Sequence, residues 1–278
     1  MAFEPLKSVL VALDGSDRSY EVIKYIAKVP YFREFGTKIT LFSVYESMPK
    51  YLKDMSREPQ FKRTYDEVRG WEIQKKRDLE SFLENSRAGL IQVGIDKSKI
   101  KVKLQKKGVG VARDIISEAR SGYGAVMIGR KGAGMMKNVV LGSIAMKLLS
   151  GITDMPLALI GRDIPVSGKI LVAMDNSEYS MRAVDFVAAN LSGKDYEIHL
   201  VHVIRDDIDT PQEITDQFID EIAPVLNEAK SALLRNGFGE DRVKTKIITK
   251  QRSRAKAIMD EAENQNIGTI MTGRRGLH

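Results

Sequence analysis

The chain has 278 residues, 43% of them hydrophobic and 29% charged, which is enough apolar material for one large or two average soluble domains. Cysteine is absent and histidine occurs three times, so disulfides, thiolate metal centres and cysteine catalysis are excluded, and a reducing cytoplasm is the expected location. The net charge of +7 is uneven, +10 over residues 1–165 (29 basic, 19 acidic) against −3 over 166–278 (15 and 18), so an anionic partner is expected in the first part.

Val9–Leu13 is a short aliphatic run that reads as a strand buried on both faces. It ends at Asp14. Ser16 then stands where it can cap a helix whose apolar positions recur at Val22, Ile23, Ile26 and Ala27. A second strand is expected at Lys38–Val44. The basic, polar stretch Pro49–Arg77 reads as a solvated loop running into a helix, with a lid or docking surface as the minority alternative. The periodicity predicts an amphipathic helix over Trp71–Arg87, with Trp71 and Ile73 covering the sheet. A third strand at Lys101–Lys106 leads to a helix at Val111–Arg120, and a fourth strand at Ala125–Gly129 opens a glycine-rich segment. Helical pattern resumes at Ile144, Leu148 and Leu149, so Gly142 and Ser143 mark a helix start. Leu157–Ile160 is a fifth apolar strand. No apolar run reaches the length of a membrane span, and the first eight residues lack the pattern of a secretory leader, so no membrane association is expected.

The pattern then begins again. Lys7–Ala27 aligns without gaps on Gly168–Ala188 with seven identities, among them Asp14 with Asp175 and Ser16 with Ser177. Gly124–Gly132 likewise matches Gly268–Gly276, in the same order along the chain. Two homologous domains, 1–162 and 166–278, are therefore expected, joined where Pro165, Ser167 and Gly168 break regular structure. In the second, strands are predicted at Ile170–Met174, Glu197–Ile204, Lys244–Thr249 and Thr269–Gly273, with helices around Ile219–Arg235 and Arg254–Asn264. His199 and His202, three apart on one strand, point to opposite faces and are read as structural rather than as a metal pair.

Strands alternating with helices imply an α/β fold with parallel sheets, whose ligands bind at the carboxyl ends of the strands where strand order reverses. Asp14 and the glycines after strand four fall at such ends. The free amides and dipole of the helix opening at Gly142 and Ser143 favour an anion, and the Ser143 hydroxyl can donate to a phosphate oxygen. Each feature alone also fits a turn or a cap. No P-loop and no Gly-x-Gly-x-x-Gly is present, and no catalytic residues can be named.

Together, Asp14 ending strand one and the run Gly129-x2-Gly132-x9-Gly142-Ser143 resemble the universal stress protein family, whose nucleotide-binding members carry Gly-x2-Gly-x9-Gly-Ser/Thr after strand four. The resemblance covers nearly the whole chain. It implies two tandem Rossmann-like domains of the adenine nucleotide alpha hydrolase-like type, with parallel five-stranded sheets. The second keeps Asp175, Val203, Gly273 and Gly276, but only two residues follow Gly276, so its last strand and helix have no counterpart. By the same resemblance Asp14 and the backbone of Val44 would face an adenosine and Gly129 its ribose. Gly132, Gly142, Ser143 and the amide of Ile144 would hold phosphates.

The function so implied is a cytoplasmic stress-response module that binds ATP, ADP or AMP in its first domain, with Asp14 as the carboxylate that could help hold Mg²⁺. A homodimer or domain pseudo-dimer through the fifth strand and a further protein partner go with it. The alternatives are a slow ATPase or nucleotidyl-transfer enzyme of the same fold, and a nucleotide-independent interaction protein. Nucleic-acid binding ranks last, because the basic residues lack interleaved aromatics.

Overall fold

The computed structural model describes residues 5–29, 31–47, 58–130, 141–162, 167–205 and 210–274. Their contacts divide the chain into two compact units, one over 6–163 and one over 164–278. The first contains β1 (Ser8–Ala12), α1 (Asp17–Lys28), a short α2 (Tyr31–Glu34), β2 (Lys38–Tyr45), α3 (Lys62–Gln92), β3 (Ile100–Lys106), α4 (Val111–Ala119), β4 (Ala125–Gly129), α5 (Ser143–Gly151) and β5 (Leu157–Ile160). Its strands form one parallel sheet in the order β3-β2-β1-β4-β5. The order reverses beside β1, which pairs with β2 on one side (Val9 opposite Ile39) and with β4 on the other (Val9 opposite Ala125). Because β1 is central it is apolar on both faces, and Val9, Leu10 and Val11 are wholly buried.

Alternation along the strands shares the core between two helical layers. Leu10, Phe42 and Val126 pack with Ile115 of α4 and with Leu148 of α5. α1 and α3 pack on each other and on the sheet, burying Val22, Ile23 and Ile26 from the one and Leu79, Leu83 and Leu90 from the other.

The second unit repeats the plan with β6 (Lys169–Ala173), α6 (Glu178–Leu191), β7 (Glu197–Val203), α7 (Gln212–Arg235), β8 (Val243–Ile248), α8 (Arg254–Asn264) and β9 (Thr269–Thr272). Its parallel sheet has four strands among the described residues, in the order β8-β7-β6-β9.

Two helices depart from the sequence reading. α3 starts at Lys62 and ends at Gln92 rather than spanning 71–87. Its first turns carry no apolar stripe to betray them. They are supported by an Arg63–Glu67 pair at 3.1 Å, with a Lys76–Glu80 pair at 3.4 Å further along, each spaced four residues apart. Trp71 and Ile73 do not cover the sheet, being 54% and 43% exposed, and Leu79, Leu83 and Leu90 do so instead. α7 begins at Gln212 and continues through Pro224, held by buried Thr215, Ile222, Leu226, Ala229 and Leu233. His199 and His202 are both engaged: His199 Nε2 lies 2.6 Å from Glu197 Oε1, and His202 Nδ1 lies 2.8 Å from the carbonyl oxygen of Met174.

Candidate functional site

The carboxyl ends of β1, β2 and β4 open on a cleft of about 580 Å³ beside the point where strand order reverses. Asp14, Val44, Gly129, Gly142, Ser143 and Ile144 all line it. Gly132 lies outside the described residues. Residues 115 positions apart and more are thus brought together because every strand of a parallel sheet ends on the same edge.

Asp14 follows β1 directly. Its Oδ1 accepts from the Ser16 amide at 3.0 Å and from the Ser16 hydroxyl at 2.6 Å. Ser16 Oγ in turn accepts from the Ser19 amide at 3.2 Å, capping α1. Burial by itself would raise the carboxyl's pKa. The hydrogen bonds from Ser16 and Ser19 outweigh that effect and hold it below the usual carboxylate range, so the cleft carries a fixed negative charge at neutral pH. A depressed folded-state pKa stabilises the fold above the unfolded value and loses that contribution as pH falls through the folded one. Asp14→Asn is therefore expected to be less stable than the parent at pH 7, with the gap closing below about pH 4 (the ordinary value is 3.8), as read from urea midpoints across pH. The same turn recurs in the second unit, where Asp175 Oδ1 accepts from the amide of Ser177 at 3.1 Å and from its hydroxyl.

Gly129 has a packing reason to be glycine beside any ligand reason. A Cβ there would stand 2.9 Å from the backbone oxygen of Arg18, where β4 ends against the first turn of α1. Gly273 repeats the constraint, its added Cβ meeting the Ser180 amide nitrogen at 2.9 Å. Backbone cannot swing aside as a side chain can, so Gly129→Ala is expected to cost about 1–3 kcal/mol. Gly70→Ala makes the opposite control. Gly70 lies within α3 and a Cβ there meets nothing within 4 Å, so that substitution is expected to stabilise by roughly 0.5–1 kcal/mol. Equilibrium urea unfolding of the two variants tests the pair.

At the far wall, α5 opens with Gly142 as its N-cap, at φ −64° and ψ 152°, with no side-chain cap. Of the other helices beginning on this cleft, α4, whose first residue Val111 lines it, likewise has a glycine N-cap, Gly110, without a side-chain cap, whereas α1 has its Ser19 amide met by Ser16 Oγ. Gly142 offers no such group, so the first-turn amides and the positive end of the dipole of α5 are left to whatever enters. Apolar walls come from Phe42 of β2 and from Val111 and Ile115 of α4.

Sequence reasoning missed two cations on the cleft, Arg18 and Arg162. Arg162 lies two residues beyond β5, and its place at a parallel strand's carboxyl end was the available signal. Asp14 and Asp17 are the carboxylates on this cleft. Among the described residues no group of three or more histidine, aspartate or glutamate side chains could hold a metal ion. The arrangement suits an amphipathic anion, combining apolar walls with helix amides and guanidinium groups.

Against known proteins, the model of the universal stress protein family matches residues 5–153 and again 167–278. Universal stress protein YxiE of Bacillus subtilis is 27% identical over 118 residues, which is 39% of this chain and 80% of that protein. Among solved structures, a universal stress protein from Archaeoglobus fulgidus superposes with a TM-score of 0.67 at 20% identity, covering 96% of this chain and 86% of that one. A putative universal stress protein from Pseudomonas aeruginosa gives 0.53 at 15% identity, covering 96% and 82%. At these identities the two structures bear on the fold. Among the described residues no helix is long and apolar enough to cross a membrane.

Proposed function

The chain belongs to the universal stress protein family, and from that premise we propose that its first unit binds an adenine nucleotide and acts as a cytoplasmic sensing or regulatory module in stress response. One observation carries the reading: the uncapped start of α5 and the ionised Asp14 face one cleft whose walls also carry the apolar Phe42, Val111 and Ile115 and the cations Arg18 and Arg162. Phe42, Val111 and Ile115 would take the base. Asp14 would accept from donor groups of the nucleoside, and the amides at Ser143 and Ile144, with Arg18 and Arg162, would hold the phosphates. Mg²⁺, where bound, would have Asp14 as its candidate protein ligand and would supply positive charge to the site. Binding would change the surface offered to a protein partner. A second copy pairing along β5, the edge strand of the first sheet, goes with this reading.

The test is mass spectrometry of small molecules released on denaturing the purified chain, followed by calorimetric titration with ATP. ATP, ADP or AMP should be released, and ATP should bind at one site per chain. Two equivalent ATP sites, or no adenine nucleotide released and no heat on titration, would refute the proposal. Recovery of ATP intact after long incubation separates a binding module from a slow ATPase.

A further inference from the structure

The second unit's cleft is a different site from the first. It has a volume of about 470 Å³ and sits at the carboxyl ends of β6, β7 and β9. The strand registers align the two units residue by residue, since Ile39 pairs with Ile100 as Ile198 pairs with Val243. On that alignment Arg254, which opens α8, stands where Val111 opens α4, and His202 stands where the first sheet has buried Ser43. Asn176 replaces Gly15. In the first unit Leu79 closes against Gly15, so that a Cβ there would be 2.8 Å from Leu79 Cδ2. Ile222, the counterpart of Leu79 by the spacing of buried residues along α3 and α7, instead lines the second cleft, together with Phe218 and Glu221. The space therefore extends toward α7.

The polar groups around it form a definite set. Arg254 Nε donates to the Val203 carbonyl at 3.3 Å, which fixes the guanidinium at the end of β7 and leaves its Nη groups over. Arg205, Arg254 and Glu221 have no ion-pair partner among the described residues, although all three line the cleft. A carbonyl only accepts, so His202 carries its hydrogen on Nδ1 toward Met174 and keeps Nε2 as an acceptor. Burial holds the ring's pKa below the ordinary histidine value, with the nearby Arg254 charge acting in the same direction. Val201, Val203 and Ile258 supply an apolar floor.

We propose that this second cleft binds a free α-amino acid, its carboxylate on Arg254 and Arg205, its ammonium on Glu221 and His202 Nε2, and its side chain against Phe218 and Ile258. A phosphorylated ligand is disfavoured there because Glu221, a carboxylate whose counterpart position lines no wall of the first cleft, would oppose a dianion. A simple acid without the amino group would leave Glu221 unmet. The inference does not depend on the nucleotide reading of the first unit.

The experiment is calorimetric titration of the full chain with each of the twenty L-amino acids, with and without saturating ATP. At least one should bind at one site per chain, whether or not ATP is present, and the corresponding acid lacking the amino group should bind at least ten-fold more weakly. Arg254→Ala and Glu221→Gln, both at exposed side chains, should each weaken that binding at least ten-fold without moving the thermal midpoint. No binding by any of the twenty overturns the proposal. So does competition by ATP, equal affinity for the acid lacking the amino group, or unchanged affinity in both variants.

Discussion

Gly142→Asp is expected to bind ATP at least ten-fold more weakly than the parent chain while unfolding no earlier. The two effects have opposite signs for one reason. Gly142 sits at φ −64° and ψ 152°, an extended conformation that aspartate adopts freely and that suits an N-cap. An aspartate there would accept from the orphan amides of α5 and complement its dipole, worth a few tenths to about 1 kcal/mol of helix stability. The amides so satisfied are those assigned to phosphate, and the added carboxylate repels it. Calorimetry for affinity and thermal unfolding without ligand separate the two effects. If ATP affinity is retained, phosphate does not sit at the start of α5. If stability and affinity fall together, the helix start is structural rather than a binding element.

Leu148→Ala is expected to destabilise the first unit by about 2–5 kcal/mol. Leu148 is wholly buried in a cluster with Leu10, Phe42, Ile115, Val126 and Ile152, so the substitution opens a cavity among side chains from four elements. α5 has nine residues, too few to persist in water without packing, and Leu148 and Ala145 are its buried side chains. Losing the leucine should therefore loosen the helix start at Ser143 as well as the core. Hydrogen exchange resolved by peptide gives the measurement. Amides in 6–163 should exchange about a hundred-fold faster, corresponding to roughly 3 kcal/mol, and those in 164–278 should be unchanged. A uniform change along the whole chain would show that the units unfold as one.

Much of this molecule is legible in its residues because burial has a period. The strands at 125–129 and 157–160 have the bounds their aliphatic runs predict, since a strand of a parallel sheet covered by helices on both faces is apolar along its length. Ser16 and Ser177 cap the helices they precede, because a cap is a local interaction within three residues. The duplication is visible for the same reason, each half repeating the same local requirements. Where burial is absent the signal fails: the first turns of α3 are exposed, so their composition reads as loop, and Trp71 is taken for a core residue although it lies in solvent.

Local pattern by itself determined the α/β class, the two repeats and the presence of Asp14, Gly129, Gly142 and Ser143 at strand and helix ends. Which of these share a cleft, and with what else, was decided by the tertiary structure. Only there do Arg18 and Arg162 meet them, Gly129 prove necessary for the approach of α1, and the second unit's cleft turn toward α7 with Arg254 and His202 on its walls. The reason is that helix and strand periods are set between neighbours a few positions apart. A cleft is set instead by which strand ends a sheet places side by side, and by what volume the packed side chains leave between them.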